Sequence, residues 1–130
     1  MLVVDASVLV IALADDTDLG DRGRQRLIGE ALAAPEIVDL EVASVLRRLV
    51  SVGLLPPRRA NLAVKDLADL PLDRARHLRL LPRVWGLREN ATTYDASYVA
   101  LAEALECTLL TADERLARSP GTNCRFETFA

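Results

Sequence analysis

Apolar residues in this chain follow two alternating rhythms: short runs of three or four valines or leucines, then longer stretches in which apolar positions return every third or fourth residue. These are the spacings of a buried strand and of one face of a helix. Residues 1–4 read as a strand and residues 6–14 as a helix, with the switch at Asp5. Residues 15–19 form a polar loop, and a helix is predicted over residues 22–33, with Leu27, Ile28, Ala31 and Leu32 on one side. Residues 35–38 read as the second strand. The helix after it places Val42, Val45, Leu46, Leu49 and Val50 at i, i+3, i+4, i+7 and i+8, and Gly53 stops it. Pro56-Pro57 opens a helix that runs to Leu70, residues 71–73 suggest a small strand, and residues 80–87 a helix around Trp85. Residues 96–105 are apolar nearly all round, as in a helix buried against a sheet. Thr108, Leu109 and Leu110 form a strand, Ser119-Pro120-Gly121 a turn, and residues 124–129 a last edge strand.

Strands alternating with helices predict an α/β protein: a three-layer α/β/α sandwich around a central, mainly parallel sheet. With 130 residues and no internal repeat or linker, residues 1–130 make a single domain large enough to bury a core. Aromatic residues are only 4% of the chain, which leaves little material for a base-stacking platform. The two cysteines, Cys107 and Cys124, are too few for a disulfide framework and lack the partners of a zinc cluster, so both are expected in the core of a cytoplasmic protein. The apolar N-terminal run is interrupted by Asp5 and has no basic flank, unlike a signal peptide, and no stretch is long enough to span a membrane.

Net charge is −3, which at first argues against a nucleic-acid partner. Setting four acids aside as a metal site makes the balance slightly positive. All basic residues but Lys65 are arginine, whose planar fork suits phosphate. An RNA substrate is compatible with that balance, although no continuous basic stripe advertises one.

Four acids stand where a strand ends or its following helix begins: Asp5, Glu41, Asp95 and Asp113. Each alone has an ordinary account. Asp5 and Asp113 occupy N-cap positions, where a carboxylate satisfies free amides. Asp95 fits a capping box with Thr92 and is favoured by the helix dipole, and Glu41 reads as a rim carboxylate near Val45. The conjunction says more, because a parallel sheet gathers such positions at its carboxyl edge. Four carboxylates that close would raise one another's pKa unless a cation neutralised them. An all-oxygen set without His or Cys selects Mg²⁺ or Mn²⁺, which most often serve phosphoryl transfer.

Other chemistries are less well supplied. His77 is the only histidine and sits among arginines, as a surface residue would, and no glycine-rich loop has the spacing and lysine of a phosphate loop. A phospho-accepting receiver domain shares the size and the acids at strand ends, but calls for a lysine at a late strand end, whereas Lys65 lies in a helical stretch. A non-catalytic acidic rim that holds an arginine-bearing partner is the other alternative.

The blocks MLVVDASVLV, PEIVDLEVASVLRRLV and TTYDASYVALAEALECTLLTADERL together resemble the PIN-domain ribonucleases, and more closely the VapC-type toxins of bacterial toxin–antitoxin pairs. Carried over residue by residue, the family's acidic quartet falls on Asp5, Glu41, Asp95 and Asp113, with Ser7 and Thr111 as the small hydroxyl residues flanking the first and last acids. Where some relatives have another acid just past the fourth, this chain has Leu116. The resemblance implies a Mg²⁺- or Mn²⁺-dependent endoribonuclease in which Asp5, Asp95 and Asp113 hold metal and Glu41 binds metal or orients water. It also implies a homodimer silenced by a cognate VapB-type antitoxin.

Overall fold

The sheet is built outward from its first strand, β1 (Leu2–Val4), whose three residues are all buried. A computed structural model of the chain describes residues 1–129. The remaining strands are β2 (Leu32–Pro35), β3 (Leu72–Ala75), β4 (Thr108–Thr111) and β5 (Phe126–Thr128), in the order β3-β2-β1-β4-β5. All four pairings are parallel, with Leu2 opposite both Leu32 and Thr108. The helices are α1 (Ala6–Ala14), α2 (Asp18–Leu27), α3 (Val38–Ser51), α4 (Pro57–Asp69), α5 (Leu81–Gly86), α6 (Thr93–Leu105) and α7 (Glu114–Ala117), with a single 3₁₀ turn at Leu78–Leu80. Together they form the expected three-layer α/β/α sandwich.

The apolar stretch read as a buried helix is α6, which packs across β1, β2 and β4. Ala96 through Ala102 are all buried on it. Its small side chains let the helix lie close to the sheet, and one aromatic among them, Tyr98, is fully buried. The helix α1 is apolar apart from Ser7 and packs on α2, α3 and α4. Its last turn contains no basic residue, so its free carbonyls take donors from elsewhere. Arg24 of α2 donates to Ala12 O and Asp15 O, and Arg59 of α4 donates to Leu13 O. A similar arginine, Arg74 of β3, grips Asp39 of α3 and also donates to the carbonyls of Leu67, Leu70 and Leu72.

Several boundaries differ from the sequence reading. The second helix covers Asp18–Leu27 rather than residues 22–33, and the second strand is Leu32–Pro35 rather than residues 35–38. Thr17 starts the helix early, its hydroxyl accepting from the Leu19 amide, and Gly29 at φ 78° turns the chain out of it. Ala33 and Ala34 therefore enter the sheet, 1% and 0% exposed, while Ile37 and Val38 begin α3. The last strand is shorter than predicted, whereas the helix expected at residues 80–87 is present as α5, preceded by the 3₁₀ turn. Cys107 and Cys124 are half-buried against the core rather than within it, and no helix among the described residues is long and apolar enough to cross a membrane.

Candidate active site at the carboxyl edge of the sheet

From β1 the chain moves outward to β2 and β3, then returns to the other side of β1 as β4. The order reverses between β1 and β4, and in open parallel sheets ligands bind outside the carboxyl ends of the strands at such a reversal. Asp5 follows β1 directly, and its amide donates to Leu110 O at 2.9 Å, extending the β1–β4 ladder by one rung. Asp113 stands two residues past the end of β4. Glu41 lies in the first turn of α3 and Asp95 in the first turn of α6.

Asp5 occupies the N-cap position of α1, yet its side chain caps nothing. Its Oδ2 accepts instead from Ser7 Oγ at 2.7 Å and from Thr111 Oγ1 at 2.8 Å. Each hydroxyl is itself held by a backbone amide: Ala112 N donates to Ser7 Oγ and Asp113 N to Thr111 Oγ1. With their lone pairs engaged in this way, both hydroxyls point their protons at Asp5. The residue is only 8% exposed and Thr111 fully buried, so the network fixes a carboxylate at the strand end where water would otherwise solvate it. Both bonds fall on Oδ2, leaving Oδ1 for another ligand.

Asp113 does serve as a cap, its Oδ1 accepting from the Arg115 and Leu116 amides at 2.9 and 3.3 Å. The capping bond at α6 comes from Thr92, whose Oγ1 accepts the Asp95 amide, so the Asp95 carboxylate is not needed for it. Leu116, three residues past Asp113, is 2% exposed and belongs to the core.

Electrostatics tie the four together. Burial, and then the charges of Asp5 and Asp113, push the Asp95 carboxyl above its ordinary range, with the Thr92 hydroxyl and Arg115 opposing. Glu41 is also raised, chiefly by burial and further by the charges of Asp5 and Asp95, against a hydrogen bond from Tyr98. Two acids thus sense Asp5, and one of them senses Asp113. In this arrangement no three His, Cys, Asp or Glu side chains among the described residues close around one point as a metal cage. Glu41 is drawn to Tyr98 and Asp113 to the α7 amides. The chemistry of the donors still suits a hard divalent cation such as Mg²⁺ or Mn²⁺: oxygen only, mutually repelling, with Asp5 preoriented by two hydroxyls.

Sequence reasoning missed Tyr98. Its hydroxyl donates to Glu41 Oε1 at 2.6 Å, and burial with this bond pushes the phenol pKa far upward, so it acts as a fixed donor. The available signal was its place three residues after Asp95, on the same side of the helix. His77 is exposed, as expected, and Lys65 lies within α4 rather than at a strand end, so the receiver-type arrangement is not formed.

A family profile described as the PIN domain matches residues 2–121. The VapC ribonuclease Mb0985 of Mycobacterium bovis is 42% identical over 124 residues, 95% of this chain and 94% of that protein. Ribonuclease VapC1 of Mycobacterium tuberculosis is 42% identical over 129 residues, covering 96% of this chain and 95% of its own length. Among solved structures, VapBC2 from Rickettsia felis bound to a promoter DNA fragment superposes with a TM-score of 0.69 at 16% identity, covering 99% of this chain and 98% of that one. PAE2754 from Pyrobaculum aerophilum does so with a TM-score of 0.67 at 20% identity, covering 95% and 87%. These structures share the fold. With a family match that spans nearly the whole sheet and relatives of this identity over nearly their full length, the chain belongs to the PIN-domain family and, within it, to the VapC group.

Proposed function

We propose that this protein is a Mg²⁺- or Mn²⁺-dependent endoribonuclease, the toxin of a toxin–antitoxin pair. The observation that carries the reading is that Asp5, Glu41, Asp95 and Asp113 stand just past β1 and β4 or in the first turns of α3 and α6, where burial and then neighbouring acidic charges raise Glu41 and Asp95. The names of the mycobacterial relatives, all ribonucleases, support the substrate class.

Asp5, Asp95 and Asp113 would hold the metal, which supplies a Lewis acid for water activation and for the departing oxygen. Ser7 and Thr111 keep Asp5 in place while a phosphodiester is bound. Glu41, with its raised pKa and its Tyr98 donor, orients the attacking water and can take its proton. No side chain needs to form a covalent bond with the substrate.

The solved Rickettsia felis neighbour is a VapBC pair, and a VapB-type antitoxin is the partner proposed here. An arginine from a basic antitoxin segment, entering the acidic edge, would satisfy the same carboxylates by charge-assisted bonds. The working form is taken to be a cytoplasmic homodimer.

The test is cleavage of RNA by purified protein with Mn²⁺ or Mg²⁺ against EDTA, with new RNA ends sequenced, beside Asp5→Asn and Asp95→Asn. Metal-dependent cleavage lost in both variants supports the reading. A folded protein that cleaves nothing but still binds an arginine-bearing partner would establish the non-catalytic alternative.

A further inference from the structure

A cavity of about 460 Å³ lies beside Asp95, lined by two arginines, Arg88 and Arg115, and by the acid Glu89. Several other arginines are engaged in the fold through paired bonds to carboxylates: Arg26 on Glu127, Arg59 on Asp16, Arg74 on Asp39 and Arg83 on Glu103. Arg88 is held differently. Its Nη1 donates to Trp85 O at 3.0 Å, and the guanidinium lies over the exposed Trp85 ring, 4.8 Å from its centroid. Those contacts orient the fork without neutralising it. The Arg115 side chain is 83% exposed and reaches Asp113 only at 3.9 Å, too far for a hydrogen bond. Its charge is nonetheless felt at Asp95, on the same cavity wall.

A carboxylate edge repels a polyanion, so a strand that must lie across it needs cations immediately alongside. We propose that Arg88 and Arg115 form a subsite for an RNA backbone phosphate next to the scissile phosphodiester. Asp95 lines the same cavity, so a strand held there lies beside the acidic edge. Trp85 positions Arg88 by stacking, leaving the guanidinium edge to bind phosphate oxygens. The inference rests on the RNA-cleaving reading of the same edge.

The experiment measures binding of a short, fluorescently labelled single-stranded RNA of mixed sequence by anisotropy, across a range of salt, in an Asp5→Asn background. Arg88→Gln and Arg115→Gln should each weaken binding several-fold and flatten the dependence of log K on log salt by about 0.7. Arg88→Lys should keep the slope but bind less tightly, because it retains charge and loses the fork. Arg58→Gln is the control: its neighbour Arg59 bonds Leu13 O and Asp16 at the far end of α1, away from the acids, and binding should not change. With Asp5 intact, Arg88→Gln should raise KM for cleavage while kcat stays nearly constant.

Equal losses in Arg58→Gln would mean diffuse attraction and overturn the subsite. So would unchanged RNA binding by Arg88→Gln and Arg115→Gln, and if inhibition by the antitoxin then weakened, the pair would belong to the protein partner instead. Cleavage that survives Asp5→Asn refutes the catalytic reading itself. Cleavage lost in Asp5→Asn, with arginine variants indistinguishable from their parent, refutes only the subsite.

Discussion

The hydroxyl of Tyr98, buried in the middle of α6, donates to Glu41 Oε1 across 2.6 Å and so joins the helix before β4 to the helix after β2. This bond lowers the Glu41 pKa, while burial and the charges of Asp5 and Asp95 raise it. Tyr98→Phe removes the lowering contribution and leaves the raising ones. In the variant, the acid limb of the pH–rate profile for cleavage should therefore move to higher pH. The profile itself is the measurement, and an unmoved limb would show that Glu41 does not titrate in the reaction.

Asp95 and Glu41 also make stability depend on pH. Both have folded-state pKa values above their unfolded ones, so between those values the folded chain binds more protons than the unfolded chain, and stability falls as pH rises. The cost is absent below the unfolded values and complete above the folded ones. Asp95→Asn and Glu41→Gln should consequently melt a few degrees higher than wild type at neutral pH without metal, and at the same temperature near pH 3. Melting curves at the two pH values decide the sign. Glu41→Gln keeps an acceptor for Tyr98, which makes it the cleaner comparison.

A divalent ion that binds only the folded state stabilises it by mass action, about 2.7 kcal/mol at a hundredfold excess over Kd. Mn²⁺ should raise the melting temperature of wild type, and Asp5→Asn should respond less. Asp5→Ala adds a second effect, because Ser7 and Thr111 lose their acceptor. It should melt below Asp5→Asn even in EDTA, by the equivalent of about 1–3 kcal/mol. Equal metal shifts in all three proteins would mean that Asp5 binds no metal.

Gly20 tests the packing that holds α1. A Cβ there would stand 1.7 Å from Asp15 O, in backbone that also accepts the Arg24 guanidinium. Gly20→Ala should destabilise the fold by roughly 2 kcal/mol or more, in the range of an overpacked core. Denaturant unfolding would show it as a lower midpoint.

Much of this architecture could be read from the chain because strand ends and helix starts are marked by polar residues at sharp hydrophobic boundaries. Asp5 falls between β1 and α1 as the sequence predicts, Gly53 follows the end of α3 at φ 78°, and Pro57 opens α4. The failure lay between residues 28 and 38. There Ala31 and Leu32 continue a helical spacing and Ile37-Val38 look like a strand. Burial decided otherwise: alanines with good helix propensity fill the crowded middle of the sheet, where position outweighs intrinsic preference. At the candidate site, the four acids were visible as types at spacings. Their division of labour was not, since whether an aspartate at an N-cap caps depends on partners such as Thr111, 106 residues away from Asp5.

That separation has a consequence during synthesis. The first strand of the chain becomes the middle of the sheet, and Asp5 is fixed only when β4 pairs beside it and supplies Thr111. A nascent chain that has delivered β1, β2 and β3 to solvent already carries Asp5 and Glu41, but without the strand that holds the first of them. The acidic edge can assemble only after β4 and Asp113 have followed the first three strands out of the ribosome. For the proposed RNA-cleaving activity, the site is completed only once the segment bearing Thr111 and Asp113 has been made.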